Sequence, residues 1–544
     1  MTYDLRTESW IPFRRLSGAV EWGPTDLLVD ALDTDPVVAL AAPRADFDGA
    51  LVEFLIGLLA VAYLLNDEKE WRELWTNPPS RAAFAAKLAS LPAAFDLDGD
   101  GPRFLQDLSA EDLAGEPVAP VQEILIGGKS NRLVFKPGTV TQMGFPSAAM
   151  ALITIQTYSP AGGRGHRTSM RGGGPLTTLV DPRPAGPRGP MERSLWRYLW
   201  ANVPLLSDLP GAQAIERDRT PASDTFPWMG PTRTSEGDRA TTITEVDPLQ
   251  AFFGMPRRIR LEFSDGGGTC GLTGRTEGRL VTGFRVKSYG VQYQGWRHPL
   301  SPYYAGKMPN EWLPVHGQSG GVGWRDWYSL LYSAERKLAA QVVTRFNQYR
   351  ADRVGCTRYA LRAFGFDVLQ EKARAWVDAR LPAFGAQDEP QLNRIHDLAT
   401  SLASATDVAA FWLQRSVVAA LYGPSEKPSG DLSHIKSALW SAMEEPFYEA
   451  VFRALDEETP LEEMRTVFHR RLLSAAESTF DSNVMADASH PEQLRRAVIA
   501  RFDLTSTLRG LGSQGAKLFE ALQLAPPDVQ RARTTRTGGP AEIR

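Results

Sequence analysis

The stretch Pro390-Gln391-Leu392-Asn393-Arg394-Ile395-His396-Asp397-Leu398-Ala399-Thr400-Ser401-Leu402 sets Leu392, Ile395, Leu398 and Leu402 at spacings of three and four. That period lines the apolar side chains along one face of an α-helix, a stripe that has to be buried. Further helical stretches run from about Val408 to Leu421, Leu432 to Leu455, Pro460 to Phe480 and Pro491 to Leu511. Between them stand Gly423-Pro424 and Pro428-Ser429-Gly430, residues that break helices and favour turns. Four or five helices with short connections predict a C-terminal antiparallel helical bundle, of the four-helix kind, over residues 382–525. Its boundary is placed near Leu381-Pro382. Residues 526–544 are rich in Pro, Gly, Thr and Arg and poor in bulky apolar residues, which predicts a disordered tail.

Working outward toward the N-terminus, the pattern reads as helical back to about Asp326. Residues 240–330 instead alternate apolar and polar positions around glycine clusters, most clearly in Arg258–Phe263 and Phe284–Tyr289. Residues 117–190 are rich in Gly, Pro, Ser and Thr and read as loops and short strands. The first 45 residues read as strands and turns anchored by Trp10-Ile11-Pro12. The longest apolar run, Phe54 to Leu65, spans 12 residues against about 20 for a membrane helix. It reads as a buried core helix capped by Asp46 or Asp48. The predicted class is α+β: a large mixed α/β N-terminal domain with irregular loops (1–381), followed by the helical bundle.

The 544 residues are 43% hydrophobic and 23% charged with a net charge of −4, so the chain is neither disordered by composition nor a polycation. Any nucleic-acid surface has to be a local concentration of Arg and Lys. Two distant cysteines, Cys270 and Cys356, fit neither a disulfide framework nor a thiolate metal site and suggest a reducing cytoplasm. The opening residues carry no basic segment followed by an apolar one, so neither a secretory signal nor a membrane partner is expected.

Three motif matches point toward enzymes. Gly317-Gln318-Ser319-Gly320-Gly321 fits the nucleophile elbow, with His316 alongside, which makes a serine hydrolase using Ser319 the main alternative reading and a pure assembly scaffold the third. That motif needs a strand before it and a helix after it, whereas the surrounding glycines read as a loop. Gly266, Gly268 and Gly271 fit the dinucleotide fingerprint, but strand-like sequence follows where a helix is required. Gly127-Gly128-Lys129-Ser130 lacks the leading glycine of a phosphate-binding loop. The seven histidines are scattered without metal-ligand spacing, so neither metal nor cofactor is expected.

Two segments concentrate positive charge. Residues 159–199 hold seven arginines against two acids, and 255–307 hold nine basic residues against three acids, interleaved with aromatics. Cations with glycine-rich backbone suit a phosphate backbone; a solvated arginine surface paired with acids elsewhere is the competing reading.

Several motifs resemble the CasA family, the large subunits of the type I-E CRISPR surveillance complex Cascade. They are Ser9-Trp10-Ile11-Pro12, Ala42–Asp46, Tyr158–His166 with Met170–Thr178, Asp247–Pro256, Thr282-Gly283-Phe284, His298–Pro302 and His490-Pro491. The likeness is spread over about residues 9–511. It implies a non-catalytic subunit that reads a protospacer-adjacent motif in double-stranded target DNA, starts R-loop formation and recruits a helicase–nuclease. Its implied partners are that nuclease, the other Cascade subunits and the 5′ end of the guide RNA. By position, Ala161, Gly162, Gly163, Arg164, Gly165 and His166 form a glycine loop entering the minor groove. The basic finger falls on Lys287, with Arg285 the competing assignment, and a wedge falls on Gln370 beside Leu369. The segment containing Lys129, Asn131, Val134, Phe135 and Lys136 is the implied docking loop toward the guide RNA. A single cysteine, Cys270, stands where some relatives carry a cysteine knuckle, so no zinc is implied.

Overall fold

The computed structural model describes residues 2–129, 136–163, 165–184, 186, 188–211, 221–318, 320–385, 388–422, 426, 432–455, 458–484 and 490–527. Helix and strand are both abundant, and the chain forms two compact units: Met1–Val322 with Ser329–Ala386, and Gly323–Tyr328 with Gln387–Arg544. The boundary therefore falls after the position expected near Leu381-Pro382. Those two residues lie inside a strand (Lys372–Phe384) whose pairing continues to Phe384.

At the centre of the first unit is the helix Ala45–Tyr63, buried along almost its whole length. The expected aspartate cap is replaced by a different arrangement. Asp46 sits inside the first turn and pairs with Arg44 at 2.7 Å, while Asp48 reaches back to the Ala42 amide at 2.9 Å. Burial pushes the Asp48 carboxyl up to about 6. On Gly49 a Cβ would lie 2.5 Å from the Trp376 ring, so glycine lets the helix lie flush on the neighbouring sheet.

A second helix, Phe145–Tyr158, packs against the first. The sequence reading placed loops and short strands here. This helix is apolar on nearly every side, and a helix buried all round has no amphipathic period to detect. The largest correction concerns residues 326–381, read above as helical. Arg358–Leu369 and Lys372–Phe384 instead form a long antiparallel hairpin, and Thr177–Asp181 adds a third strand. Arg258–Ser264 pairs with Leu280–Lys287 as the alternation predicts. Gly268–Thr269 pairs with Thr276–Glu277, a hairpin where a dinucleotide site would need a helix.

In the second unit, Glu389–Leu421 is one continuous helix. The Asp388 side chain caps it by accepting the Gln391 amide at 2.9 Å, and Pro390 sits in its first turn. Ile395, Leu398, Leu402, Leu413 and Val417 form its buried stripe. It packs on Pro491–Leu508 and Leu461–Val484 and meets Ser433–Ala442 and Gly512–Ala521. Trp324 joins this unit by packing on Trp440 and Phe447, with ring centroids 4.4 and 4.5 Å apart. Among the described residues no single helix is long and apolar enough to cross a membrane.

Candidate nucleic-acid interface

The glycine loop begins where the helix Phe145–Tyr158 ends. It closes on itself: the Gly162 amide donates to the His166 carbonyl at 3.4 Å, and the His166 amide to the Gly163 carbonyl at 3.1 Å. Gly163 and Gly165 have φ of +92° and +77°, a region that costs other residues about 1–2 kcal/mol. Arg257 supports the loop from beneath, its guanidinium donating to the Pro160 carbonyl and the Ser159 hydroxyl. The Gln156 side chain in turn holds both backbone groups of Arg257, at 2.9 and 3.0 Å. Burial lowers the Arg257 guanidinium to about 10. Burial, then the charges of Arg257 and Lys129, lower the pKa of the half-buried His166 and favour its neutral form. Ala161 is partly exposed, and Arg164 lies outside the described residues.

The strand Leu280–Lys287 runs to the same place. Two residues past its end, Tyr289 adopts φ +64° and its amide donates to the Gly165 carbonyl at 2.7 Å. A Cβ on Gly165 would lie 2.8 Å from Ser288 Cβ, so the contact requires glycine. The strand register pairs Lys287 with Arg258 and Arg285 with Arg260. Among the described residues, Lys287 Nζ makes one hydrogen bond, to the Asp112 carbonyl at 3.1 Å. Arg285 is bound on several sides, by the Glu262 carboxylate and the Ala114 and Glu116 carbonyls. Arg258 donates to Asp107 and Asp112. That bond, with the Lys287 charge behind it, holds the Asp112 carboxyl below its ordinary range.

The hairpin turns at Gln370-Glu371, which follow the exposed Leu369. Both have positive φ, +48° and +64°, without the glycine or asparagine such a turn favours. One residue inside the tip, Val368 packs on Gly174, where a Cβ would come within 2.5 Å of it. Gly173 lies close to Pro160, where a Cβ would come 3.0 Å from the Pro160 Cα. The hairpin end is thereby seated beside the base of the glycine loop.

Of the docking-loop residues, Asn131, Val134 and Phe135 lie outside the described residues. Lys129 and Lys136 are exposed, and Lys129 pairs with Glu123 at 3.5 Å. The buried Gln122 side chain holds both ends of the loop, donating to the Gly128 carbonyl at 3.3 Å and accepting from the Val140 amide at 3.1 Å. Gln122, Arg257 and Asp112 are supports that the sequence reading missed. They come from segments distant in the chain, and no local period marks them.

Much of the arginine-rich sequence serves the protein itself. Arg171 is buried in an ion pair with Glu53 and donates to Thr177 and Ser301. Arg167 donates to Ser235 at 2.8 Å and Arg183 to Asp181 at 2.7 Å. Arg279 pairs with Asp98, and Arg275 lies 4.3 Å over Trp22. The two basic segments are therefore not two continuous phosphate-binding surfaces. For the hydrolase alternative, Ser319 lies outside the described residues, and His316 Nε2 sits 3.3 Å from the Arg171 carbonyl. Gly317 forms a lone bridge with Asp367, and among the described residues no helix directly follows it, unlike a nucleophile elbow. Among the described residues no group of His, Cys, Asp and Glu is arranged to hold a metal ion, and Cys270 is buried against Ser147 at 3.4 Å.

The whole fold recurs in solved structures. Cse1 from Acidimicrobium ferrooxidans superposes with a TM-score of 0.68 at 17% identity, covering 97% of this chain and 99% of that one. Thermobifida fusca Cse1 also gives 0.68 at 17%, covering 96% and 98%. A chain of a CRISPR RNA-guided surveillance complex gives 0.64 at 17%, covering 92% and 99%. These likenesses define the class of fold. Residues 4–479 match the model of the CRISPR-associated protein Cse1 family, and the chain belongs to that family.

Proposed function

We propose that this chain is the large DNA-recognition subunit of a CRISPR RNA-guided Cascade complex, acting by binding rather than by catalysis. Family membership supports the complex, as does the likeness to a chain of a CRISPR RNA-guided surveillance complex. The observation that carries the recognition role is the convergence of three segments far apart in sequence. The glycine loop, the strand end bearing Lys287 and the Gln370 hairpin tip are joined through Gly165–Tyr289 and Gly174–Val368.

A narrow glycine-rich loop can follow a minor groove, where Arg164 and His166 would add phosphate or base-edge contacts, and the groove's degenerate donor and acceptor pattern allows several adjacent motifs to be tolerated. Lys287 would contact the phosphate or base edge beside it. Gln370 with Leu369 would wedge beneath the motif, offsetting unstacking that costs a few kcal/mol per step. Strand separation from there would let guide RNA pair with target, the division of labour used by RNA-guided effectors. The loop around Lys129 and Lys136 would dock near the guide RNA 5′ end. The C-terminal helices, read as a four-helix bundle, would meet neighbouring subunits and the displaced strand before a helicase–nuclease is recruited.

The test is binding of the reconstituted guide-RNA complex, with and without this chain, to duplexes carrying or lacking an adjacent motif across a salt series. Motif-dependent affinity that appears only with the chain supports the reading. Affinity indifferent to motif and chain overturns it.

A further inference from the structure

A cavity of about 350 Å³ in the first unit, outside the recognition face, is walled by Trp75, Arg188, Glu192, Arg197, Cys356 and Arg358 among others. Pro182 and Pro184, just past the strand Thr177–Asp181, stiffen one rim, and the turn Val354–Thr357 forms another. Three arginines and one glutamate are among the residues that line this space.

Arg197 is the most constrained of the three. Its residue is 7% exposed, its guanidinium lies 4.3 Å over the Trp75 ring, and one Nη donates to the Trp75 carbonyl. Its Nε is buried without a hydrogen-bond partner, and the Glu192 carboxylate acts on it through space rather than by an ion-pair contact. A buried guanidinium with no directly paired carboxylate is costly, and the position is stabilised when an anion enters. Arg188, exposed at the mouth, adds a second charge.

Trp75 is already engaged by Arg197 and by Trp71, whose ring stacks on it at 5.1 Å. Recognition therefore rests on charge rather than on base stacking. Guanidinium forks match phosphate oxygens in geometry. The volume lies at the small end of the range for ligand pockets, roughly 300–1,000 Å³.

We propose that this cavity binds the phosphate of one nucleotide, either a free nucleotide or a single residue of a strand. Nothing in the motif-reading proposal requires this site, and Lys287 takes no part in it.

The experiment is calorimetric titration of the full chain with adenosine 5′-monophosphate, adenosine and a hexathymidylate. Alkylation of Cys356 by N-ethylmaleimide is followed in parallel. Cys356 is a half-buried wall residue, whereas Cys270 is buried and serves as the internal reference. Saturable binding of the monophosphate but not the nucleoside is expected, with at least a fivefold slowing of Cys356 alkylation. Arg188→Glu should weaken the monophosphate at least tenfold, and Lys287→Ala should leave it unchanged. Tighter binding of hexathymidylate, lost in Arg188→Glu, identifies a strand as the source, and tighter monophosphate a free nucleotide. Equal binding of nucleoside and monophosphate, indifference to Arg188→Glu, or no protection of Cys356 overturns the proposal. Because Arg188 is on the surface, its replacement tests the site without disturbing the Arg197–Trp75 packing.

Discussion

The backbone amide of Tyr289 donates to the carbonyl of Gly165 at 2.7 Å, which makes the glycine loop and the strand end carrying Lys287 one hydrogen-bonded unit. Residues more than a hundred positions apart in sequence are thereby held in fixed register. Replacing Gly165 by alanine places a Cβ 2.8 Å from Ser288 Cβ in a left-handed backbone conformation. Gly165→Ala is expected to destabilise the fold by about 1–2 kcal/mol. Motif-dependent DNA binding should fall well beyond that, because the two halves of the surface lose register. Denaturant unfolding alongside duplex binding separates the two effects.

Gly163 offers the complementary case. Its φ is also left-handed, but a Cβ there meets nothing within 4 Å. Gly163→Ala should therefore cost about 1 kcal/mol of loop strain and little binding. Gly163→Asp adds a negative charge aimed at phosphates and should abolish motif-dependent affinity at low salt. If the two variants bind alike, this loop does not enter a groove.

Lys287 and Arg285 are distinguished by their partners. Lys287 has one carbonyl partner, whereas Arg285 is held by Glu262 and two carbonyls. Lys287→Ala should lower affinity and reduce the salt slope by about 0.9 if one phosphate contact is lost. Arg285→Ala should instead lower stability by about 1 kcal/mol and leave the salt slope unchanged. A slope that changes only in the Arg285 variant would transfer the finger to that residue.

How much of this was legible in the sequence differs from element to element. The period of Leu392, Ile395, Leu398 and Leu402 matches a helix that buries Ile395, Leu398 and Leu402. The hairpin 358–384 was missed for a physical reason. Its second strand, Lys-Ala-Arg-Ala-Trp-Val-Asp-Ala-Arg-Leu, is built from good helix formers, and strand preference depends on what covers each face. Its turn also lacks the usual glycine, asparagine, aspartate or proline signal. The loop positions were placed by family resemblance. Their supports, Arg257, Gln156 and Gln122, are visible only once tertiary contacts exist.

The strained turn suggests a trade of stability against function at Gln370-Glu371. Two non-glycine residues at positive φ cost roughly 1–2 kcal/mol each. Replacing the pair by Asn-Gly should raise the unfolding free energy by about 1–2 kcal/mol. If Gln370 is the wedge, the same double variant should bind motif-bearing duplex but slow strand opening, measured by the reactivity of unpaired thymines. A variant that opens DNA at the normal rate would assign the hairpin a purely structural role.

Asp48, which is not among the residues proposed to touch DNA, has a pH-dependent role in stability. Burial raises its carboxyl to about 6, although the Ala42 amide and Arg362 pull the other way. The folded value lies above the unfolded one, near 3.9. The unfolded chain therefore releases this proton first, and the stability tied to the protonated form is complete below about pH 4. It is lost as pH rises through about 6. Asp48→Asn keeps an acceptor for the Ala42 amide without the buried charge. It should raise Tm at pH 7.5 by a few degrees and match the parent below about pH 4. Equal Tm differences at both pH values would show that the carboxyl is ionised in the fold at little cost, with Arg362 stabilising the charge.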